Sequence, residues 1–495
     1  MKKVVYSLVL LILAIEFTPA FSQSYQWAIT TSNSPRSQAV SLRQDQLSNI
    51  YLASFTDSSS IRVHSQIEKR DEQQNMIWQL SFPGNVTISD MEINSSGMLI
   101  AAGYFQDTMS VDTFFLVNNT GSNTGFICEI TTQGMINWLH EINPTGDDFK
   151  PEDLFISSNG SMYITSQLSG GTGMNCGFHR LDAIGNILQT EIGANFDNRT
   201  FSHILADNNG NVYLSGTCGN MAIFDALTAN PSFSYQNFLV KYDSTFTALW
   251  ILTKEYITFD NNNKICCDGQ KLFWVYDESF PTSVDTVKIS TVDFNGNELN
   301  NFAGPLDIAF FPGVDLAVDS SGNSVLALEA FTRTFLFRYD SQFNMTWQDT
   351  LYTRISSFPF YNALVCYDSS FYISSMYISD TLIAENFTLL NPNSGSNFPS
   401  DIFICKWGFP QINGVQEVEN SSVHLFPNPV SDKLFILSSD NIRYSRFSIY
   451  NLLGKEIFRD QYNGDYIPVE EISNGMYILK LNDGTNEQTV KFVRQ

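Results

Sequence analysis

The residues of this sequence that could do chemistry are five histidines, seven cysteines and several clusters of Asp, Asn and Gly. The histidines stand at positions 64, 140, 179, 203 and 424, without a His-Glu-x-x-His pair or a Cys/His cluster at zinc spacing. A general acid or base needs a partner that orients it, and the sequence offers none for His179 or His203. Structural or solvent-facing roles are favoured for both, and no catalytic residue is assigned.

Three clusters of Asp, Asn and Gly, at 207–211, 293–298 and 319–323, alternate oxygen ligands in the manner of calcium loops. The full EF-hand spacing, which ends in a bidentate Glu, is missing. The clusters also recur where hairpins are required, and Asp and Asn cap their own backbone in tight turns while Gly accepts positive φ. Turn chemistry is therefore favoured. No cofactor or metal site is predicted, and any calcium bound here would be loop calcium.

The cysteines, at 128, 176, 218, 266, 267, 366 and 405, are odd in number, so at least one is unpaired within a single chain. A disulfide between Cys176 and Cys218 is an open alternative in an exported protein. Free Cys behaves as a small buried apolar residue, which is the favoured interpretation.

A strand-like unit that recurs seven times predicts the elements that carry these residues. Its copies align on Tyr51, Ile100, Tyr163, Tyr213, Phe273, Val325 and Tyr372. The intervals of 49, 63, 50, 60, 52 and 47 residues suit four strands per unit. A second unit follows each copy and often ends in a Trp, as at Trp78, Trp138, Trp250 and Trp347. We expect these rings to pack between neighbouring units, because each can bury a large apolar area.

Seven four-stranded units can cover their faces by packing radially into a closed ring. The seventh unit ends at Trp407 without its Trp strand, whereas residues 25–30, which contain Trp27, look like an orphan copy of that strand. We therefore predict that residues 25–30 form the outer strand of the last blade. The predicted fold is all-β: a seven-bladed β-propeller over residues 23–407, followed by a small Ig-like β-sandwich.

The two ends of the chain differ from the repeats. Residues 1–22 have Lys2 and Lys3, an apolar run of about a dozen residues and small residues before a cleavage site between Ser22 and Gln23, which predicts a signal peptide. That run is too short for a membrane span, and no later one is longer. Residues 408–422 are polar and aperiodic, which predicts a linker, and residues 423–495 contain short alternating strands typical of a sandwich.

The C-terminal strands contain four ordered motifs, which are Phe426-Pro427-Asn428-Pro429, Ile449–Lys455, Ile472–Lys480 and Val490–Arg494. Together they closely resemble the type A C-terminal sorting domain of Bacteroidetes. The resemblance implies recognition by the type IX secretion machinery, which carries cargo across the outer membrane. The residues that match the motif are Pro427, Asn428, Pro429, Gly454, Gly475, Tyr477 and Lys491. The alternative is an ordinary C-terminal sandwich domain, because sandwiches host many functions.

Composition and charge narrow the function further. A formal charge of −24, from 51 acidic and 27 basic side chains, argues against nucleic acid or anionic lipid as a partner. The repeats are similar to the loosely conserved β-propeller repeats of bacterial exported proteins, which implies a fold and no particular activity. We predict a secreted or surface protein that binds an extracellular glycan or protein without catalysis. The alternative is a secreted glycoside hydrolase or lyase whose carboxylates converge at the propeller mouth.

Overall fold

The computed structural model describes most of the chain from residue 24 onward. The described ranges are 24–31, 37–58, 62–144, 148–170, 173–192, 200–219, 221–229, 235–256, 263–278, 286–307, 313–330, 332–353, 363–367, 370–396, 399–408, 423–438, 445–451, 455–462, 466–482 and 487–494. All regular elements in these ranges are β-strands. Nowhere in them is there a helix with the length and apolarity that a membrane crossing requires. The chain divides into two compact units, residues 1–410 and 411–495.

The described residues of the first unit form thirty-four strands. The first seventeen are β1 (Ser24–Thr30), β2 (Ser37–Gln44), β3 (Ile50–Ser58), β4 (Arg62–Arg70), β5 (Met76–Phe82), β6 (Asn85–Ile93), β7 (Leu99–Gln106), β8 (Thr108–Val111), β9 (Phe114–Val117), β10 (Thr124–Ile130), β11 (Ile136–Ile142), β12 (Asp148–Ile156), β13 (Met162–Gly170), β14 (Gly173–Leu181), β15 (Ile187–Ile192), β16 (Thr200–Ala206) and β17 (Val212–Cys218). The next seventeen are β18 (Ala222–Phe224), β19 (Leu227–Ala229), β20 (Tyr235–Tyr242), β21 (Ala248–Tyr256), β22 (Asn263–Cys267), β23 (Leu272–Glu278), β24 (Thr286–Val292), β25 (Glu298–Asp307), β26 (Gly313–Val318), β27 (Ser324–Ala330), β28 (Arg333–Tyr339), β29 (Met345–Leu351), β30 (Ala363–Tyr367), β31 (Ser370–Tyr377), β32 (Thr381–Ala384), β33 (Phe387–Leu390) and β34 (Asp401–Gly408).

Twenty-eight of these strands form seven antiparallel four-stranded sheets, which we number as blades in chain order. From the first strand outward they are β2-β3-β4-β5, β6-β7-β10-β11, β12-β13-β14-β15, β16-β17-β20-β21, β22-β23-β24-β25, β26-β27-β28-β29 and β30-β31-β34-β1. The first strand of each blade contacts the first strands of both neighbouring blades, and β30 of blade 7 contacts β2 of blade 1. The ring is therefore closed, which confirms the predicted seven-bladed propeller.

Blade 7 is completed by the N-terminal strand. β1 pairs antiparallel with β34 from Ser24 opposite Gly408 to Thr30 opposite Phe403. The side chains of Tyr25 and Trp27 on β1 are buried. The pairing that the sequence indicated for residues 25–30 is thus present, and it joins the two ends of the ring.

The Trp residues of the outer strands pack between blades, as expected. Trp78 of blade 1 donates its indole N–H to the Thr132 carbonyl of blade 2 at 2.9 Å. A Cβ on Gly134 would lie 2.7 Å from this ring, and the φ of Gly134 is +82°. Only glycine accommodates both the positive φ and the approach of the indole.

Tight turns join the first strand to the second, and the third to the fourth, so both sets lie at one end of each blade, which we call the turn face. In the turn at Asp207, Oδ1 accepts the Asn209 and Asn211 amides at 2.9 and 3.0 Å, and Oδ2 accepts Asn211 Nδ2 at 2.7 Å. Asp293 and Asp319 have the same arrangement. The opposite end, the loop face, carries three additional hairpins, β8-β9, β18-β19 and β32-β33, which the repeat pattern did not indicate.

The second unit is a two-sheet sandwich. Its strands are β35 (Val423–Phe426), β36 (Lys433–Ser438), β37 (Arg446–Asn451), β38 (Glu456–Gln461), β39 (Ile467–Pro468), β40 (Gly475–Asn482) and β41 (Glu487–Arg494). The sheets are β35-β36-β39 and β38-β37-β40-β41, and residues of both, such as Leu434, Ile449 and Leu479, share one core. The two-residue strand β39 escaped the sequence analysis because it has no alternating pattern.

Candidate functional site

The Pro-Asn-Pro motif holds the C-terminal strand. Asn428 Oδ1 accepts the Val493 amide at 2.8 Å, and its Nδ2 donates to the Lys491 carbonyl at 3.3 Å. Proline has no amide hydrogen to donate to a ladder, so neither Pro427 nor Pro429 can pair with β41 through its nitrogen. The Asn428 carboxamide therefore makes the hydrogen bonds that a neighbouring strand would make.

One further motif residue, Tyr477, belongs to the core beside this strand. Tyr477 is 6% exposed, stacks on Phe492 at 5.7 Å and donates its hydroxyl to the Ser473 carbonyl at 2.8 Å. Gly475 begins β40 opposite Arg494, and Lys491 lies opposite Ile478. The structure thus brings Asn428, Tyr477 and Lys491 to one strand, β41. Gly454 and the predicted cleavage residues Ser22 and Gln23 lie outside the described residues.

Ionisable side chains on the first strands of the blades surround the axis of the propeller. Ser41, Asp90, Asp153, His203 and Asp315 each stand ten residues before the aromatic or aliphatic residue on which the repeats align. The sequence analysis missed this set because the residue type changes from blade to blade. The signal that could have revealed it is the constant offset of a polar residue.

Among the described residues of the first strands, acid–base pairs cross three of the junctions between blades. Arg43 of blade 1 contacts Asp90 Oδ1 of blade 2 at 3.0 Å, and Lys264 of blade 5 contacts Asp315 Oδ1 of blade 6 at 2.7 Å. His203 Nδ1 of blade 4 lies 3.2 Å from Asp153 Oδ1 of blade 3.

The same aspartates also cap backbone amides of the following blade. Asp90 Oδ2 accepts the Leu154 amide at 3.1 Å, Asp153 Oδ2 accepts the Ile204 amide at 2.7 Å, and Asp315 Oδ2 accepts the Leu364 amide at 2.8 Å. Each acid thereby satisfies a donor that the neighbouring sheet does not satisfy, so these side chains link blades.

The environment shifts the pKa values of the axial acids in opposite directions. Burial would raise the pKa of Asp153, but the charge and hydrogen bond of His203, aided by Lys264, hold it below its usual range. Burial raises the pKa of Asp90, and Arg43 offsets only part of this effect. Groups of one type with divergent pKa values are a common property of sites that move protons.

Glu152, next to Asp153 on β12, is the axial acid that is most exposed to water. Its side chain is exposed, and partial desolvation by the surrounding protein raises the pKa of Glu152 to about 7, with Lys150 opposing the shift and Asp153 adding to it. A carboxyl group with a pKa near neutrality can both donate and accept a proton.

The two histidines considered from the sequence have different environments. His203 lies at the axis beside Asp153. His179 is fully buried in blade 3, where its ring nitrogens contact Ser166 Oγ at 2.8 Å and Thr190 Oγ1 at 3.0 Å. Burial lowers the pKa of His179 to about 4, so it is neutral at physiological pH and has a structural role.

A cavity of about 490 Å³ opens at the turn face between blades 3, 4 and 5. Three aromatic side chains, Phe155, Tyr213 and Phe294, line it, and the Tyr213 and Phe294 rings lie 5.7 Å apart. Aromatic walls with a few polar groups are typical of small-molecule sites.

The rim of this cavity is polar. Asp207, Asn208 and Asn209 come from the turn between β16 and β17, and the exposed thiol of Cys267 lies at the end of β22. Asp207 is held by its own turn, and its Oδ2 also accepts the Tyr213 hydroxyl at 3.2 Å. The polar groups of the rim are thus mainly amides on a rigid turn, and Asn208 Oδ1 accepts the Ser158 hydroxyl.

The seven cysteines are thiols, and Cys176 and Cys218 are both buried. The disulfide alternative is therefore not realised, and burial is the arrangement that the sequence favoured. In the part of the chain that the structure describes, no three His, Cys, Asp or Glu side chains are grouped so as to hold a metal ion.

Comparison with known proteins bears on the C-terminal unit. Residues 424–495 match the family described as "Secretion system C-terminal sorting domain". This confirms the resemblance that the Pro-Asn-Pro and later motifs indicated. The protein is sorted by the type IX secretion system of Bacteroidetes, and its location is outside the cell or on the cell surface.

Two curated relatives are similar over short stretches. An endo-acting ulvan lyase of Formosa agariphila is 37% identical over 71 residues, which is 14% of this chain and 14% of that protein. Ulvan lyase NLR42 of Nonlabens ulvanivorans is 31% identical over 86 residues, 17% of this chain and 16% of that protein. The chain therefore spans about a seventh of the length of these relatives.

Solved structures share a distant likeness. Polysaccharide lyase Uly1 has a TM-score of 0.42 and 9% identity, covering 80% of this chain and 94% of that one. A protein of unknown function from Bacteroides caccae has a TM-score of 0.36 and 9% identity, covering 64% and 94%. Similarity at this level carries no information about a shared activity.

Proposed function

We propose that this exported propeller binds an uncharged extracellular glycan in the cavity between blades 3, 4 and 5. The observation that carries the proposal is the combination of the Phe155, Tyr213 and Phe294 walls with the amide rim of Asn208 and Asn209. A sugar ring has an apolar face and a belt of hydroxyl groups, and such a site offers a partner to each.

The charge of the protein favours an uncharged glycan over an anionic one. The formal charge is −24, and Asp207 stands on the rim of the cavity. An anionic polysaccharide would be repelled by both at low ionic strength.

A glycan array with the full-length exported protein tests this function. We expect Phe294→Ala and Asn209→Ala to weaken binding of the captured glycan at least about tenfold, because each removes a group from the site. Ser321→Ala is the matched control, since Ser321 holds the same turn position in blade 6. Binding that survives both cavity variants unchanged would refute this site.

A second candidate function is glycan cleavage at the axis. The observation that favours it is Glu152, a water-exposed carboxyl with a pKa of about 7 beside Asp153, whose pKa is lowered. A protonated and an ionised carboxyl group are the pair that glycoside hydrolysis uses.

A cleavage screen with neutral and acidic polysaccharides separates the two functions. If the axis is catalytic, Glu152→Gln abolishes product formation while glycan binding by the cavity persists. If the wild-type protein releases no products from any polysaccharide in the screen, the cleavage function is rejected and only the binding function is retained.

Export depends on the C-terminal unit, and a variant of Asn428 tests whether its hydrogen bonds to β41 are needed for export. We expect Asn428→Ala to reduce the secreted fraction, because it removes the two side-chain hydrogen bonds that Asn428 makes to residues 491 and 493 of β41. Ser431→Ala, on the exposed segment just beyond the motif, is the control. Undiminished secretion of the Asn428 variant would show that the strand is held by other contacts.

A further inference from the structure

Three aromatic side chains form a row on the outer face of the sheet β35-β36-β39 in the C-terminal unit. Phe426 on β35 lies directly opposite Phe435 on β36, and the two rings are stacked with their centroids 5.4 Å apart. The Tyr466 ring, just before β39, lies 6.2 Å from the Phe435 ring. The Lys433 ammonium lies 4.7 Å from the centre of the Tyr466 ring. We call these four side chains the aromatic row.

The aromatic row does not belong to the core of the sandwich. Leu434 and Ile467, the sequence neighbours of Phe435 and Tyr466, are fully buried in that core. Successive side chains of a strand point to opposite faces of the sheet, so the row faces away from the core. The exposed fraction is 48% for Phe426 and 41% for Tyr466. Adjacent aromatic rings are therefore left in contact with water.

The outer face of the other sheet, β38-β37-β40-β41, has a different chemistry. The Tyr450 hydroxyl donates to Glu456 Oε2 at 2.9 Å, and Arg459 Nε donates to Ser448 Oγ at 3.1 Å. The Lys480 ammonium lies 5.7 Å from the centre of the Tyr450 ring. This face is polar and its groups pair with one another, as expected for a surface that meets water. A patch of exposed aromatic rings is instead typical of a protein interface.

The aromatic row also includes part of the sorting motif. Phe426 immediately precedes Pro427, and both lie in the segment that matches the sorting-domain family. Asn428 of the same motif binds β41, whereas the Phe426 ring stacks on Phe435 and stays outside the core. The motif therefore has one side chain that holds the fold and one that is presented to solvent.

We propose that the aromatic row is the surface through which the C-terminal unit docks on a protein of the type IX secretion machinery. The partner presents an apolar pocket for the Phe426 and Tyr466 rings and a carboxylate for Lys433. Aromatic side chains are enriched in interfaces because each buries a large area, and a charge beside them fixes the orientation of the partner. The proposal rests on the sorting role of this unit and is independent of glycan binding in the cavity.

The distribution of charge favours this partner over a second copy of the chain. Residues 423–495 contain nine acidic and eight basic side chains, so nearly all of the formal charge of −24 lies in the rest of the chain. Two copies that met through the aromatic row would each bring a strongly negative propeller, and these repel each other. A foreign protein that binds the nearly neutral sorting unit does not meet this penalty.

Export of the full-length protein in a Bacteroidetes host with type IX machinery tests the proposal. The row variant combines Phe426→Thr, Phe435→Thr and Tyr466→Thr, because Thr is well tolerated in strands. We expect its secreted fraction to fall at least about tenfold, with retention in the periplasm, because the anchors of the interface are lost. Met476→Thr is the matched control, since Met476 is 42% exposed on the outer face of the other sheet, and its export should equal that of the wild type.

Two further measurements separate docking from folding. Calorimetry of each purified full-length variant shows whether the C-terminal unit still unfolds as in the wild type. Lys433→Glu keeps the test decisive if the row variant does not fold, because Lys433 is exposed. We expect this charge reversal to reduce export at least about threefold, whereas Lys433→Arg should be exported normally. Normal export of a folded row variant, or of Lys433→Glu where the row variant does not fold, would overturn the proposal.

Competition for export identifies the step at which the aromatic row acts. Overproduced wild-type protein should reduce the export of a second cargo with the same type of sorting domain, whereas the overproduced row variant should not. A row variant that is not exported but still competes would overturn the proposal, because it would still dock. A wild-type dimer that the row variant converts into a monomer, with export unchanged, would overturn it in favour of a second copy.

Discussion

Two acids of blade 6 face blade 7 and have opposite environments. Asp315, on β26 near the axis, accepts the Leu364 amide at 2.8 Å and lies 2.7 Å from Lys264 Nζ. Glu329, on β27 farther out, receives only the Ser375 hydroxyl at 3.4 Å. Burial alone raises the pKa of Glu329 to about 8.

The difference shows what a buried acid needs in order to join two sheets. Asp315 replaces its lost water with a charge and backbone donors, so the junction gains from its ionised form. Glu329 has no such replacement, so burial favours its protonated form over its ionised form. Blades 6 and 7 are therefore joined near the axis by the hydrogen bond of Asp315 to the Leu364 amide. Farther out they are joined by the contact of Ser375 with Glu329, which we call conditional because it depends on the protonation of Glu329.

Removal of β1 disrupts the blade that both acids face. A mature chain that begins at residue 31 loses the buried Tyr25 and Trp27 side chains and exposes the edge of β34. The apolar area of two such rings corresponds to a fall in melting temperature of about 10 °C, as measured by calorimetry. A midpoint equal to that of the intact chain would mean that blade 7 is stable with three strands.

Asp315→Ala breaks the satisfied contact. The change leaves the half-buried Lys264 without the carboxylate that lies 2.7 Å away, and the Leu364 amide without an acceptor, so we expect a loss of about 3 kcal/mol in urea unfolding. The double variant Asp315→Leu, Lys264→Met should recover most of this loss, because it removes the orphaned charge as well. A single variant as stable as the wild type would remove the contrast with Glu329.

The Glu329→Gln variant tests the conditional contact through the pH dependence of stability, measured in the presence of chelator. The folded carboxyl has a raised pKa of about 8 against 4.5 for the free group, so wild-type stability is highest below pH 4.5 and falls as the pH rises toward 8. The variant lacks this dependence, so we expect it to be more stable by about 2–4 kcal/mol at pH 8.5 and similar at pH 4.5. Parallel pH profiles for the two proteins would contradict the assignment.

Ser375→Ala tests the weakest contact of the comparison. The 3.4 Å hydrogen bond to Glu329 should contribute about 0.5 kcal/mol to unfolding at pH 7. Ser41→Ala is the counterpart near the axis, where the 2.7 Å bond to the charged Asp90 should be worth about 1.5–3 kcal/mol. Equal losses for the two serines would erase the distinction between the inner and outer contacts.

The sequence was sufficient for the fold because its signals are local or periodic. Tyr51 and its six counterparts mark the second strand of each blade, Trp78 marks an outer strand, and Trp27 identified the strand that closes the ring. Asp207 and Asn211 were recognisable as turn residues because their hydrogen bonds are made within five residues.

The sites could not be predicted from the sequence, because they combine segments that are distant along the chain. The cavity joins Phe155, Tyr213 and Phe294 from three blades, and no spacing relates them. Lys264 and Asp315 meet across a junction, and the residue type at the repeat position of Asp315 varies from blade to blade. Glu329 was not recognisable as a junction residue, because a single acid in an apolar strand has no pattern.

The pairing of β1 with β34 has a consequence for the order of assembly. During export the amino-terminal segment emerges first, yet its partner lies beyond residue 400. Blades 1 to 6 can each form from contiguous chain as it appears, whereas β1 stays unpaired until β34 is available. The propeller is thus completed late, and its slowest step should be the search that unites the two most separated segments of the unit.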